Sequence, residues 1–545
     1  MKIRDKQIKF YIDILKDNEI LLLKSCDTYF KSHYSSSPLS VLTGFLGSEG
    51  EAIIDKNGKI TIFVDSRYHI LVDKQVFEDV QIYKLEFGES FFDALKKLYK
   101  KNTIFYVYDD ISLKTYMEFD EYFDLRKYEL NKNFASNSDF NKKEQIFKVS
   151  AEIDKVGFLQ KIEKLKKICS KYNKMLVFNL DEISYLTGLR SFQMKYSSNF
   201  RSVLYLDFKN SIYNLFCDNV SKKIKIEGLN IRNLEEFEGF ASSINGEIAL
   251  DINDVNLKNY VLIKNPIEIK NKPLSTLASI RSVAEIADLE NAFQKLDKTI
   301  FDFKKKIKLG MSEYDLVQMF EEELSKNGAK FPSFKTILAI DENSASIHYS
   351  QPSKNKILTK ECLLLLDCGG YWKNGFATDI TRTFYFGANP KPVYKKIYTN
   401  VLKAFLACYN SNETNAKKID SIARTFLKQF EKEGFYFAHG LGHGIGTSVH
   451  QNPPVLSMKS KDIIKPYQVH SIEPGLYGKD KDGVEFGVRI ENCVYSDLNF
   501  KKISLSKFPF EEVLIDYSLL NKQEIELIQG WNSWKQLKSP ALKTI

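Results

Sequence analysis

Two aspartates within one short stretch of the chain suggest metal chemistry. Residues 363–383 read LLLLDCGGYWKNGFATDITRT, where Asp367 follows four leucines and Asp379 comes twelve positions later. The turn-prone KNG sequence between them predicts a hairpin. Carboxylates that meet across a buried hairpin repel each other unless a cation lies between them, so a metal site is one hypothesis. The alternative is a strand-end aspartate together with an ion pair between Asp379 and Arg382.

The histidines are concentrated in the same part of the chain. Five of the seven lie at or beyond position 348: His348, His439, His443, His450 and His470. His439 and His443 have the spacing of a helical metal pair, but the glycines of HGLGHGIG argue against a helix, so we predict an extended or looped segment. No long apolar-periodic helix follows, which excludes a dinucleotide-binding loop. A glycine-rich turn with incidental histidines is the alternative.

Two glutamates follow apolar strand patterns further along the chain. Glu473 lies in VHSIEPGLY and Glu491 in GVRIEN. Taken singly, Glu473 could be a surface turn residue and Glu491 the ion-pair partner of Arg489. Together with the aspartates and one histidine, they form an oxygen-rich donor set that suits Mn²⁺ or Co²⁺. Four carboxylates balance two divalent ions, as in a two-metal hydrolase.

In this order, the motifs resemble the aminopeptidase P branch of the metallopeptidases that share the pita-bread fold of methionine aminopeptidase, prolidase and creatinase. The matching stretches are IHYSQP, DCG…TDITRTF, HGLGHGIGTSVH, SIEPGLY and GVRIEN. Upstream, TGFLGSEGEAII…VDSRY and NLDEISYLTGLR resemble the first two domains of the three-domain aminopeptidases P. The resemblance therefore extends over nearly the whole chain.

The resemblance implies a residue set for the site. The metal ligands would be Asp367, Asp379, His443, Glu473 and Glu491, with Asp379 and Glu491 bridging two ions. Substrate and oxyanion would be surrounded by His348, His439, His450, Tyr477 and Arg489, and the catalytic groups would be Glu473, His348, His439 and His450. The family's two aspartates are usually one position closer together. We expect the additional residue in the turn, because a one-residue slip of the strand would point Asp367 to the wrong face.

The implied activity is release of the N-terminal residue from peptides with proline in second position. A metal-bridging hydroxide would attack the scissile carbonyl, and Glu473 would transfer a proton to the departing imino nitrogen. Two divalent ions are expected, with Mn²⁺ preferred and Co²⁺ or Zn²⁺ as alternatives, and relatives suggest a homodimer. The competing hypotheses are a prolidase restricted to Xaa-Pro dipeptides and a metal-free protein of the same fold that binds peptides.

Composition excludes several other classes. The net charge of +9 is spread thinly over 545 residues, without the clustered basic residues of a nucleic-acid surface. No apolar run approaches the roughly 18–20 residues that cross a bilayer. The charged N-terminal sequence lacks the apolar core of a signal peptide. Seven scattered cysteines without a CxxC motif favour a reducing cytoplasm.

The sequence pattern predicts three domains: α/β units over 1–145 and 146–280, and an α+β domain over 281–545. The resemblance implies that the first two are similar to the creatinase N-terminal domain and that the third is a pita-bread catalytic domain with a C-terminal extension. A polar stretch from about Leu130 is interpreted as a linker. We expect a short helix capped by Asp181, a long helix closed by Gly310, and one strand over 487–495. Ser312 and Asp315 predict a capping box.

Overall fold

The structure is a computed structural model that describes residues 3–25, 37–108, 111–128, 144–221 and 223–538. The chain divides into two compact units. The first comprises residues 1–148, 156–195 and 199–274, and the second comprises residues 149–155, 196–198 and 275–545. The predicted linker falls mostly on residues 129–143, outside the described part, and the three-domain boundaries stay a prediction. Among the described helices, none combines the length and apolar character of a membrane crossing.

The first unit contains two six-stranded sheets with the same topology. In spatial order, the strands of one are Val80–Lys84, Ile60–Val64, Glu51–Asp55, Glu19–Lys24, Ile104–Tyr108 and Asp124–Tyr128. Those of the other are Asn230–Arg232, Ile212–Cys217, Ser202–Asp207, Lys174–Val177, Ile248–Leu250 and Pro266–Glu268. In each sheet only the third strand runs antiparallel to its neighbours. The two sheets of the first unit therefore share one strand order and one pattern of strand directions.

Short helices accompany both sheets, and the sheets share one hydrophobic core. This core includes Phe105 from the first sheet and Phe216 from the second. It also includes Phe178, which directly follows strand Lys174–Val177 of the second sheet. The helices are Ile3–Ile14, Pro38–Thr43, His69–Gln75, Phe91–Leu98, Leu113–Asp120, Gly157–Ile168, Leu180–Thr187, Phe237–Ser243 and Leu257–Tyr260. A small strand pair, Phe147–Lys148 with Leu189–Arg190, completes the unit. The main segment of the second unit, residues 275–545, begins within helix Pro273–Ser279.

The second unit is an α+β structure of antiparallel strands and long helices. Its three-stranded sheets are Ile337–Ile340, Cys362–Cys368, Ile380–Phe386; Phe435–Tyr436, Gly475–Lys479, Glu485–Arg489; and Val469–Ile472, Asn492–Ser496, Lys502–Ser504. Two strand pairs are Phe331–Pro332 with Gly370–Tyr371 and Gly442–His443 with Val455–Leu456. The helices are Val283–Lys306, Glu313–Lys326, Pro392–Asn410, Ala416–Leu427 and Lys522–Lys538. Apolar faces of the helices over 392–427 pack on the strands over 469–494.

Several local expectations are confirmed and others are corrected. Ser312 and Asp315 form the predicted capping box. Asn179 caps helix Leu180–Thr187 instead of Asp181, because its carboxamide oxygen accepts from the free amides at 181 and 182. The long helix ends at Lys306, before Gly310. The predicted strand over 487–495 is two strands, Glu485–Arg489 and Asn492–Ser496, which pair in different sheets.

His470 is a fully buried core histidine of the second unit. Burial lowers the pKa of His470 from its usual 6.5 to about 3. The unfolded chain therefore binds a proton in acid that the folded protein does not, and the free energy of unfolding falls as pH drops below about 6.5.

Replacing His470 by Leu removes this proton linkage. We expect the slope of the unfolding free energy between pH 6 and 4 to decrease by roughly 1 kcal/mol per pH unit in H470L relative to wild type. Urea unfolding across this pH range measures it, and the pair at pH 8 is the control because both side chains are neutral there. Equal slopes would show that His470 is not a buried neutral base.

Candidate metal centre

The hairpin that carries Asp367 and Asp379 keeps one register from end to end. Asp367 pairs with Thr381, and the pairing continues to a bridge between Tyr371 and Ala377, so the loop occupies residues 372–376. In this register Asp379 is two positions from the residue opposite Asp367, and both side chains lie on the same face. The additional residue is thus in the loop, where Gly375 adopts a φ of 77°, and no bulge is needed.

A second hairpin carries the two glutamates. The hairpin has two ladders with the same register. In one, residues 469–472 pair with residues 495–492, and in the other, residues 475–479 pair with residues 489–485. Glu473 therefore lies opposite Glu491, in the gap between the two ladders. The same face of this hairpin carries Ser471, Tyr477 and Arg489. Like charges in opposite positions destabilise a sheet unless something compensates them.

Thr381 joins the two hairpins. Its hydroxyl donates to Glu491 Oε2 at 2.7 Å, and its carbonyl accepts from the Glu491 amide at 3.1 Å. Arg489 Nε donates to the same hydroxyl at 3.1 Å, and Arg489 Nη2 donates to Asp367 Oδ2 at 2.6 Å. The four carboxylates are thereby held on two facing strand pairs.

His443 enters the cluster from the short strand Gly442–His443. Its Nε2 lies 3.2 Å from Glu473 Oε1 and 3.7 Å from Asp379 Oδ2. Ser471 fixes both sides of this contact, since its hydroxyl accepts from the His443 amide at 3.0 Å and donates to Glu473 Oε1 at 3.0 Å. The segment is not a helix, as the glycines predicted.

The donor atoms converge as a metal site requires. Ligand atoms of Asp379, His443 and Glu491 all lie within 4.8 Å of one another. Three carboxylate oxygens of this cluster are buried without a hydrogen-bond partner: Asp367 Oδ1, Asp379 Oδ1 and Glu491 Oε1. Buried anionic oxygens without partners are costly. A divalent cation would satisfy them, so the residues present fit one.

The electrostatics support this interpretation. Burial, together with the charges of neighbouring carboxylates, raises the pKa of Asp379 and of Glu491 well above the usual range. Burial also raises the pKa of Asp367, against the opposing effect of Arg489. For Glu473, burial is outweighed by the hydrogen bond and charge of His443, which lower its pKa to about 2. Asp379 and Glu491 thus lack a compensating positive charge, whereas Asp367 has Arg489 and Glu473 has His443.

A hydrogen-bonded row of side chains lies beside the carboxylates. Arg489 Nη1 donates to the Tyr477 hydroxyl at 2.7 Å, and Tyr477 lies 3.0 Å from His439 Nε2. The carbonyl of Gly440 can only accept, so His439 Nδ1, 2.8 Å away, carries the ring proton and Nε2 accepts from Tyr477. Burial lowers the pKa of His439 to about 4, which keeps the ring neutral.

The remaining predicted histidines lie at the edge of this arrangement. The exposed His450 contacts His443 edge-to-face, with ring centroids 4.3 Å apart. His348 is half-buried and follows Ile347, whose carbonyl accepts from Arg489 at 3.3 Å. Their roles, like the ligand roles of the five residues above, stay predictions.

Both simpler ion-pair alternatives are wrong. Arg382 donates to the carbonyls of Thr381, Glu491, Phe508 and Pro509 and to Asn492, so it does not pair with Asp379. The ion pair of Arg489 is with Asp367 rather than with Glu491.

Sequence analysis missed Thr381 and Ser471, which orient three of the predicted ligands. Each lies two residues from a predicted ligand in a strand, and so on the same face. This two-residue spacing from a predicted ligand could have identified both residues from the sequence.

Comparisons with known proteins point to a peptidase family. The sequence profile of metallopeptidase family M24 matches residues 287–496. An uncharacterized peptidase of Methanocaldococcus jannaschii is 31% identical over 61% of this chain and 90% of its own length. A probable Xaa-Pro aminopeptidase P of Coprinopsis cinerea is 25% identical over 99% of this chain and 96% of its own. The crystal structure of X-prolyl aminopeptidase from Caenorhabditis elegans, described as a cytosolic enzyme with a di-nuclear active site, matches with a TM-score of 0.82 at 20% identity, over 94% of this chain and 91% of that one.

The fold and the site define a peptidase with a C-terminal pita-bread domain, which confirms the predicted fold class and enzyme class. The chain belongs to metallopeptidase family M24. The resemblance to its aminopeptidase P branch, predicted from the motifs, is confirmed.

Replacing Thr381 by Val tests its role in orienting Glu491. The loss of the hydroxyl leaves Glu491 Oε2 without its donor, so we expect the dissociation constant for Mn²⁺ to rise roughly ten- to a hundredfold. Calorimetric titration of chelator-stripped protein measures it. Thr383→Val is the matched control, because the Thr383 hydroxyl donates to the Arg489 carbonyl on the same strand pair. An unchanged affinity in T381V would contradict the role.

Proposed function

We propose that this chain is a two-metal aminopeptidase that releases the first residue of peptides whose second residue is proline. One observation carries the proposal: the donor atoms of Asp379, His443 and Glu491 lie within 4.8 Å of one another, on hairpins that also hold Asp367 and Glu473. The aminopeptidase P relative matched over nearly the whole chain supports the same substrate class.

The residues that would hold two divalent ions are Asp367, Asp379, His443, Glu473 and Glu491. Their oxygen-rich character favours Mn²⁺, with Co²⁺ or Zn²⁺ as alternatives. Divalent cations bound there would supply Lewis acidity, which activates water near neutral pH and polarises the scissile carbonyl.

The chain's own side chains provide the proton transfer and the positioning. In the metal-free protein Glu473 is ionised at neutral pH, since the hydrogen bond and charge of His443 lower its pKa to about 2. It can accept a proton and pass it to the departing imino nitrogen, which must gain one to leave. The Arg489–Tyr477–His439 row fixes a neutral imidazole beside Glu473, and we assign this row, His348 and His450 to substrate binding.

The acidic cluster also explains exopeptidase action. A peptide's free α-amine is a cation, and the buried carboxylates attract it only at the chain end, because internal peptide nitrogens carry no charge. A prolidase would share this chemistry, but the full-length match to an aminopeptidase favours longer substrates. A metal-free binding protein is disfavoured because all five predicted ligands are present.

Location and assembly are part of the proposal. The six described cysteines are all buried free thiols, in keeping with a reducing cytoplasm. The similar Caenorhabditis elegans enzyme is described as cytosolic. We also propose a homodimer, as expected from relatives, and the three-domain division at about 145 and 280.

Replacing Asp379 by Asn removes one carboxylate from the convergent set. We expect Mn²⁺-dependent release of the first residue from an Xaa-Pro-Xaa tripeptide to fall below detection, because the bridging position loses its charge. The control is Asp297→Asn, another fully buried aspartate, which accepts hydrogen bonds from Ser506 and Lys507. Retained activity in D379N would refute the site assignment.

Substrate length separates the two enzyme hypotheses. We expect wild-type kcat/KM for an Xaa-Pro-Xaa tripeptide to exceed that for the matching Xaa-Pro dipeptide. Release of free amino acid from both peptides, with and without chelator, measures this. Hydrolysis of the dipeptide alone would identify a prolidase, and hydrolysis of neither would favour the binding protein.

A further inference from the structure

Two loops of the second unit hold the predicted ligands in place. The loop 372–376 ends three residues before Asp379, and the glycine-rich loop 444–451 begins directly after His443. Directly after the first loop, the Ala377 amide donates to the Gly446 carbonyl of the second loop at 2.8 Å. The distance from Asp379 to His443 therefore depends on how firmly these loops are joined.

Ser198 joins the two loops from a distant part of the sequence. Its side chain is fully buried, and its hydroxyl lies within hydrogen-bond distance of the Gly375 carbonyl and 3.0 Å from the Thr447 carbonyl. The Ser198 amide also donates to the Thr447 carbonyl, at 3.3 Å. Each acceptor belongs to a different loop.

Arg281 holds the same loops from another element of the second unit. Its guanidinium Nη2 donates to the Ile445 carbonyl at 3.1 Å and to Gln451 Oε1 at 2.9 Å. Its guanidinium carbon lies 5.3 Å from the centre of the Phe376 ring, in the loop between the aspartates. Only 3% of Arg281 is exposed, so this buried cation contacts both loops without solvent between them.

Gln451 completes the connection within loop 444–451. Its side-chain Oε1 accepts from the main-chain amide of Thr447 at 2.8 Å. The main-chain amide of Gln451 donates to the Gly444 carbonyl at 2.9 Å. At Gly446, a Cβ atom would lie 1.7 Å from Gln451 Oε1 and 2.1 Å from Arg281 Nη2. A side chain at position 446 would therefore displace the ends of the Gln451 and Arg281 side chains from their present positions.

We propose that Arg281 and Ser198 are positioning residues that lock the loop after His443 to the loop before Asp379 and so set the spacing of the metal ligands. The inference rests on the proposed function. A glycine-rich loop has many accessible conformations, so external bonds must select the one in which His443 faces Asp379. Groups that orient ligands without touching the metal affect its affinity roughly ten- to a hundredfold.

The test compares Mn²⁺ affinity in chelator-stripped full-length variants by calorimetric titration. We expect dissociation constants at least about tenfold higher in Arg281→Met and severalfold higher in Ser198→Ala. Arg281→Lys keeps the charge but loses the planar fork, so its affinity should be intermediate. Ser504→Ala is the matched control, since Ser504 is a buried serine that donates to one carbonyl, that of Ser506. It should bind Mn²⁺ as wild type does.

Thermal unfolding of the metal-free variants distinguishes positioning from simple packing. Lower melting temperatures with wild-type Mn²⁺ affinity in S198A and both Arg281 variants would overturn the inference while leaving the proposed function intact. Wild-type protein that binds no Mn²⁺ would overturn the proposed function itself. If R281M does not fold, S198A and R281K decide the question.

Discussion

The mutual repulsion of four closely placed carboxylates, three of them buried, is the constraint on which the second unit depends. Asp367, Asp379, Glu473 and Glu491 face one another across two hairpins, and the ion pair with Arg489 neutralises one of them. Removing unpaired charges from water costs more than hydrogen bonds within the site return. The raised pKa values of Asp379 and Glu491 express that cost. Divalent cations are the partners that such a set lacks, which is why the arrangement indicates a metal centre.

The fold meets this constraint through strand register. Each hairpin keeps the same register along its length, which places its two acids on one face. The Thr381 hydroxyl then bonds the first hairpin to Glu491 of the second. The ladder of the second hairpin is interrupted where Glu473 and Glu491 lie opposite each other, which frees both side chains to turn toward the first hairpin. His443 comes from a separate short strand, Gly442–His443, and the glycine-rich loop 444–451 follows it directly.

Local sequence signals predicted much of this arrangement. The apolar run before Asp367, the KNG turn and the glycines around His443 determine short-range structure, and the structure agrees with each. The cap of helix Leu180–Thr187 was misassigned because Asn179 and Asp181 are both good caps two residues apart, and only backbone geometry decides between them. The strand over 487–495 was predicted as continuous because apolar residues recur along it on both sides of the polar residues Arg489, Glu491 and Asn492.

Long-range contacts account for the rest. Nothing near Ser198 in sequence indicates that its hydroxyl meets carbonyls at 375 and 447, and Arg281 has no motif that ties it to loop 444–451. The pairing of Arg489 with Asp367, rather than with its neighbour Glu491, likewise depends on how two hairpins pack. Such contacts join residues far apart in the chain, and periodicity carries no information about them.

Counting the metal ions bound per chain tests the central claim most directly. Native mass spectrometry of the full-length protein, after removal of metal and titration with Mn²⁺, should show two ions per chain for wild type and fewer for Glu491→Gln, which removes the charge of a proposed bridging ligand. Absence of bound Mn²⁺ in wild type, or the same count in both proteins, would contradict the account.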